Sequence, residues 1–182
     1  MAVRVTAPVT LLLAALAAAT SLQDTFDGAA RALAAGDLLT AERGFEAVLR
    51  AAPNHIGALG NLGVVYSRQG RIADAVHVYR RALRVAPRDP ALLLNLALAY
   101  LKQDDPARAK PILTELVRIQ PQNRQGAELL ASTQVLTGEA AMAVGQLEKM
   151  RTADPNNSAV LYFLGIAYLK QDERAKARQP DL

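Results

Sequence analysis

The 182-residue chain has no cysteine, no tryptophan and only two histidines. Without cysteine it can form no disulfide, no thiolate metal site and no lipid-modified thiol. His55 and His77 are too few for a metal centre and read as loop or surface residues. Aromatic side chains make up 4% of the chain, and charge of one sign is not concentrated: 21 basic and 17 acidic residues are mixed along it. A nucleic-acid surface needs a dense basic face and often stacking aromatics, so none is expected. The densest basic cluster, Arg80, Arg81, Arg84 and Arg88, reads as a solvated helix face. Strand-type Val/Ile/Thr runs are scarce as well, while alanine and leucine dominate, which favours helices. Also missing are a Gly-rich phosphate loop, a His-Glu metal motif and a nucleophile elbow. Carboxylates such as Asp74, Glu115 and Glu148 sit among opposite charges, as on any helix surface. Neither a catalytic residue nor a cofactor nor a metal is expected.

The amino terminus differs from the rest. "MAVRVTAPVTLLLAALAAATSLQD" carries Arg4 and then no charge until Asp24, and Leu11 to Ala19 is nearly pure Leu and Ala. A basic start, an apolar stretch and a small-residue end have the layout of a secretory signal, with cleavage after Ala19 or Ser21. Residues 1–21 are therefore expected to be an export signal. Two other readings remain open: an uncleaved membrane anchor, because Val5 to Leu22 is just long enough to span a bilayer, and ordinary helical structure. The expected location is exported, periplasmic or in the cell envelope, or cytoplasmic if this segment is no signal. The Ala/Arg/Gly-heavy composition suggests a bacterial source.

What is present in abundance is repetition. Pro53, Pro87, Pro121 and Pro155 lie 34 residues apart. Before Pro87, Leu59, Leu62, Gly63 and Tyr66 share one helical face, and Ala75, Tyr79 and Ala82 share a second. One period on stand Leu93, Leu96, Ala97, Tyr100, Ala109, Leu113 and Leu116; two on, Ala127, Leu130, Ala131, Gln134, Ala143, Leu147 and Met150; three on, Leu161, Leu164, Gly165, Tyr168 and Ala177. This pattern resembles the tetratricopeptide repeat family over roughly residues 22 to 178. Leu59, Leu93, Ala127 and Leu161 stand where that family usually has tryptophan. The resemblance implies an all-α, right-handed superhelical solenoid of helix-turn-helix repeats. The units are 22–55 (weak, with Gly28 at a usual leucine position), 56–89, 90–123, 124–157 and an incomplete 158–182.

Local chemistry fits pairs of helices of about 14 residues. Gly36, Gly70 and Gly138 suit left-handed turns, whereas the third unit uses Asp104-Asp105-Pro106, with Asp105 as helix cap and Pro106 at the first helical position. Asp89-Pro90 reads the same way. Gly63 is a glycine inside a helix, at a cost of about 1 kcal/mol. It is expected at the crossing of paired helices, where a small residue lets backbones approach and Tyr66 and Tyr79 fill the flanks. Ala29, Ala97, Ala131 and Gly165 are its equivalents.

The resemblance places first helices on a concave side, and the register selects Asn61, Val64, Ser67 and Arg68; Asn95, Leu98, Leu101 and Lys102; Glu128, Ser132 and Val135; and Tyr162, Phe163, Ile166 and Leu169. In the family an asparagine at the place of Asn61 and Asn95 often hydrogen-bonds the backbone of a bound extended peptide, for which an amide offers both donor and acceptor. The alternative is that these amides bond only within the array. The apolar residues either contact a ligand or pack between first helices. Gly60, Ala91 and Leu94 stand where a carboxylate clamp would need lysines, so no such clamp is expected. The expected partner is a protein or peptide segment, with no nucleic acid, and with a membrane only through an uncleaved amino terminus.

The last unit should turn near Asp172 and begin a second helix near Arg174, which Pro180 interrupts. The first helix there is apolar nearly all round. That suggests a truncated product, or an end covered by a partner or by a second copy through self-association. The function expected is a protein-interaction scaffold. The runner-up is a non-catalytic part of a larger enzyme or secretion-assembly factor.

Overall fold

The structure is a computed structural model that describes the backbone of residues 7–178 and the side chains of residues 21–172. Of the expected export or anchor segment, residues 1–21, all but Ser21 lie outside the described side chains, as do Ala177 and Pro180 at the other end. Among the described residues the chain forms nine α-helices and no strand: α1 (Ala7–Ala34), α2 (Leu38–Ala51), α3 (Ile56–Arg68), α4 (Ile72–Val85), α5 (Pro90–Lys102), α6 (Pro106–Ile119), α7 (Arg124–Leu136), α8 (Ala140–Ala153) and α9 (Ser158–Arg178). They fall into two compact units, Met1–Pro87 and Arg88–Leu182. In the first unit α1 packs on α2, α2 on α3 and α3 on α4. In the second the sequence α5, α6, α7, α8, α9 is packed in the same neighbour-on-neighbour way, with α7 also touching α9.

Three-residue turns join the paired helices, and all four share one geometry. Gly36, Gly70 and Gly138 have φ of 82°, 78° and 84°, and Asp104 takes the same left-handed place at 55°. In each turn the next N–H reaches back to the helix: Asp37 to the Ala32 carbonyl, Arg71 to Tyr66, Asp105 to Tyr100 and Glu139 to Gln134, at 2.7–3.0 Å. This is the Schellman closure, which satisfies carbonyls that a helix end leaves open. Asp105 then caps α6 by accepting from the Arg108 N–H at 2.8 Å, with Pro106 at the first helical position. That bond is the main reason its carboxyl sits below the usual range.

The recurring prolines end the second helices. Ala52, Ala86, Gln120 and Asp154 precede them, with φ between −127° and −145° and ψ between 77° and 86°, an extended setting that the following ring imposes. Two residues after each proline comes the cap of the next first helix. His55 Nδ1, Asp89, Asn123 and Asn157 each accept an N–H from three residues on, at 2.8–3.2 Å. His55 is thus a helix cap, and it also lies against the Phe26 ring at 5.0 Å.

At Gly63 the reason for glycine differs from the expectation. Paired backbones do not fill the space over it; the ring of Tyr79 does. A Cβ on Gly63 would lie 2.3 Å from the ring's Cε1 and 2.6 Å from its Cζ. Tyr79 is thereby almost wholly buried, and its hydroxyl is pushed up by that burial. Closer backbone approach occurs at Gly44 on α2, where a Cβ would come within 2.6 Å of the Ala29 Cβ and 3.3 Å of its Cα.

The carboxyl end also departs from the expectation. No turn forms at Asp172: α9 runs unbroken from Ser158 to Arg178. The turn residues explain this. Where α5 is followed by Asp105 and Pro106, a capping residue and a ring, α9 has Glu173 and Arg174, both good helix formers. Gly165, the expected equivalent of Gly63, is exposed, and a Cβ there would meet nothing within 4 Å.

Candidate functional site

The second unit carries an open groove between α7 and α9. Leu129 and Ser132 of α7, Leu147 of α8, and Val160 and Phe163 of α9 line it, with Gln125 and Glu128 at the rim; its volume is about 240 Å³. The floor is apolar because Leu147 and Val160 belong to the buried cluster that welds α7, α8 and α9 together. Its polar rim is largely engaged. Glu128 Oε1 accepts from Arg124 Nε at 2.9 Å and from Asn157 Nδ2 at 3.1 Å, and Arg124 also pairs with Asp154 at 2.5 Å. These contacts fix the start of α9 relative to α7. They leave the groove with little free charge.

One and two 34-residue steps after Asn95 stand Leu129 and Phe163, and both line the groove. Asn95 itself is half-buried on α5, and Asn61 is half-buried on α3. Neither amide bonds another side chain or backbone group among the described residues, since every such bond found elsewhere in the chain has other partners.

The other sequence-selected residues divide by environment. Val64, Leu98 and Leu101 are half-buried and Lys102 is exposed. Arg68 turns away from a partner role in part: its Nη1 donates to the Leu33 carbonyl at 3.2 Å, on the last turn of α1, where a cation also suits the helix dipole. Ile166 packs against the α7–α8–α9 cluster, and Tyr162 is exposed with its ring edge-on to Phe163 at 5.2 Å. Val135 does not line the groove as expected. It is fully buried in that same cluster, among residues of α8 and α9. Leu129 and Gln125 were missed, although the 34-residue step from Asn95 leads directly to Leu129.

In the first unit the polar contacts serve the junction of α2 with α3. Tyr66 donates to Glu46 at 3.3 Å, Gln69 Nε2 to Glu42 at 2.8 Å, and Arg71 pairs with Glu42 at 2.6 Å and with Asp74 at 2.8 Å while lying 4.1 Å over the Tyr66 ring. The Gln69 bond, followed by Arg71, holds the Glu42 carboxyl below its usual range. Of the basic cluster, Arg81 donates to the Pro53 carbonyl, while Arg80 and Arg84 are exposed. Among the described residues no group of three or more His, Asp or Glu could hold a metal ion.

Comparison with known proteins sets these features in context. The profile described as Tetratricopeptide repeat matches residues 26–90 and again 61–124. No curated protein matches the chain. Among solved structures, YrrB, described as a TPR protein with an unusual peptide-binding site, superposes with a TM-score of 0.77 at 20% identity, covering 84% of this chain and 79% of its own. MamA gives 0.76 at 22% identity, over 87% and 86%. A tetratricopeptide repeat protein from Parabacteroides merdae ATCC 43184 gives 0.75 at 18%, covering 88% of this chain, which spans 64% of that protein's length. At these identities the likeness is one of fold, the solenoid of helix-turn-helix repeats. Such repeats generally serve as non-catalytic scaffolds for protein contacts. The two overlapping profile matches together cover more than half of the sequence, and the chain belongs to the tetratricopeptide repeat family.

Proposed function

We propose that this protein is a scaffold that holds an extended segment of a partner protein along its first helices. In the second unit, Asn95 would hydrogen-bond the segment's backbone, and the α7–α9 groove would seat an aliphatic side chain against Leu129 and Phe163. Leu98, Leu101 and Lys102 flank that path. Asn61, with Val64 and Arg68 nearby in sequence, offers the first unit the same backbone contact. The observation that carries this reading is a half-buried amide with no hydrogen-bond partner among the described residues, in register with an open apolar groove. YrrB's described peptide-binding site supports it by analogy of fold.

The test is a selection of displayed random peptides on the immobilised full chain, followed by affinity measurement. Asn95→Ala and Leu129→Glu should each weaken the selected peptides about tenfold or more. Peptides whose affinity ignores both substitutions would overturn the reading.

Export is part of the proposal. First helices begin at Ile56, Pro90, Arg124 and Ser158, and the same step places a beginning at Leu22, inside the continuous α1. Ser21 then falls at the capping position held elsewhere by His55, Asp89, Asn123 and Asn157. Residues before it are surplus to the repeat, as a removable leader would be. Among the described residues no helix is long and apolar enough to cross a membrane. Fractionation of a bacterial host expressing the chain, with amino-terminal sequencing, tests this: a mature start at Thr20 or Leu22 supports export, and an intact cytoplasmic chain refutes it. The runner-up, a non-catalytic part of a longer enzyme or assembly factor, draws on the 64% coverage of the Parabacteroides protein and is decided by the reading frame beyond Leu182.

A further inference from the structure

Charge is paired differently in the two units. In the second, each arginine among the described residues has a carboxylate partner: Arg88 and Arg118 share Glu115, Arg108 has Asp105, Arg124 has Glu128 and Asp154, and Arg151 has Glu148. On α4 of the first unit this pairing fails. Arg80 and Arg84 are exposed and form no ion pair or hydrogen bond among the described residues, and exposed His77 on the same face forms none either. The repeat register shows which partners are missing. Arg80 stands where α2 has Glu46 and α8 has Glu148, and three residues before Arg84 stands Arg81, where Arg118 has Glu115. The one carboxylate of α4, Asp74, is held by Arg71 at 2.8 Å.

The unpaired arginines border a recess. Ala73, Val76, His77, Arg80 and Arg84 line a hollow of about 300 Å³ on α4. Val76 is buried and, with Ala73, gives the hollow an apolar wall. Arg80 and Arg84, about 6 Å apart along the helix axis, give it two guanidinium groups. Within the chain this grouping is unfavourable, because like charges three and four residues apart repel: Arg81 with Arg84, and Arg80 with Arg84. The helix dipole favours a cation in the last turn, which accounts for Arg84 but not for Arg80 or the hollow beside it. Carboxylates from outside would remove the repulsion, and a guanidinium can meet each of them with two parallel N–H bonds.

We propose that this face of α4 is a second interaction surface, one that takes an acidic amphipathic helix of a partner protein. The partner presents an aliphatic side chain to Ala73 and Val76, and two carboxylates four residues apart to Arg80 and Arg84. A helix suits the face because it repeats the spacing of the residues it meets. The hollow favours a protein over the two other polyanions that a basic face attracts. A membrane surface calls for apolar or aromatic side chains that project, and here there is a recess; a nucleic acid stacks its bases on aromatics, and no Phe, Tyr or Trp lines the hollow. The surface shares no residue with the Asn95 path or the α7–α9 groove, so either reading can fail while the other stands.

The probe is a displayed library of helix-forming peptides of about 20 residues. It is selected on the immobilised full chain and counter-selected on the chain carrying Arg80→Glu and Arg84→Glu. The survivors should carry pairs of Asp or Glu four residues apart, with Leu, Ile or Val one turn away. In fluorescence anisotropy the double substitution should weaken them about tenfold or more, and so should added salt. Arg118→Glu makes the same charge change at the register position of Arg84, on a residue already paired, and should alter binding less than about twofold. Asn95→Ala should leave it unchanged. Peptides with lysine in place of the paired carboxylates should reverse the preference and bind the Arg80→Glu, Arg84→Glu chain. Several findings would overturn the proposal: a selection that yields no peptide of this kind, binding that Arg118→Glu weakens as much as the double substitution, or tighter capture of vesicles of equal parts phosphatidylcholine and phosphatidylglycerol, or of a DNA duplex, lost on the same double substitution. The last two would assign the face to a membrane or to nucleic acid.

Discussion

The same three residue types, leucine, glycine and tyrosine at one spacing, are core on α3 and surface on α9. On α3 the glycine is a necessity, because the ring of Tyr79 occupies the volume that any side chain would need. On α9 the glycine is only a gap, and it carries the propensity cost of glycine in a helix without the packing that offsets it. A residue's role in a repeat protein is therefore set by the neighbouring helix as much as by its own register.

The largest test of this contrast is leucine at both glycines. Gly63→Leu should cost about 3 kcal/mol or more, because the Tyr79 ring must leave its site. Gly165→Leu should leave stability within roughly 1 kcal/mol of the parent, or raise it, since it replaces an exposed helical glycine. Equal losses in thermal or denaturant unfolding would break the comparison. Next comes the ring itself: Tyr79→Ala should cost about 3–5 kcal/mol, as for other buried aromatic truncations, and Tyr168→Ala about 1 kcal/mol or less.

A smaller effect distinguishes the junctions. Tyr66 and Tyr168 each donate to a glutamate twenty residues earlier, Glu46 and Glu148, but only Tyr66 is buried. Tyr66→Phe should cost about 1 kcal/mol, and Tyr168→Phe less than about half of that. Finer still is the acid response. Glu42 is depressed when folded, so it stabilises above the ordinary glutamate range, and this contribution is lost as pH falls through its lowered folded value. Glu42→Gln should accordingly flatten the acid limb of stability in the unit containing α3. An unchanged acid limb would mean that the Gln69–Glu42–Arg71 contacts do not persist in solution.

Much of this was legible in the sequence. The prolines fixed where second helices end, because the residue before a proline is held extended. The glycines marked the left-handed turns, and the Asp104–Asp105–Pro106 alternative could be read from capping chemistry alone. What covers Gly63 was not legible, because the period places Tyr79 on the partner helix without saying how far its ring reaches. The unbroken α9 was misread through "AYLKQD", which matches α5 up to the turn; the deciding residues are the next two, Glu173 and Arg174 in place of Asp105 and Pro106. In the groove, the change from Asn95 to Leu129 hid an equivalent position behind a change of polarity, and Val135 was assigned to the groove although it is buried in the cluster of α7, α8 and α9.

The seating of Tyr79 over Gly63 also bears on how such chains can lengthen or recombine. The ring and the hollow that receives it lie on opposite sides of the Gly70 turn but between the same two prolines. A crossover at Pro53 or Pro87 transmits both together and preserves their fit. One at the turn would unite the glycine with another unit's leucine and part the Tyr79 ring from the hollow it fills, so the exchangeable cassette runs from proline to proline.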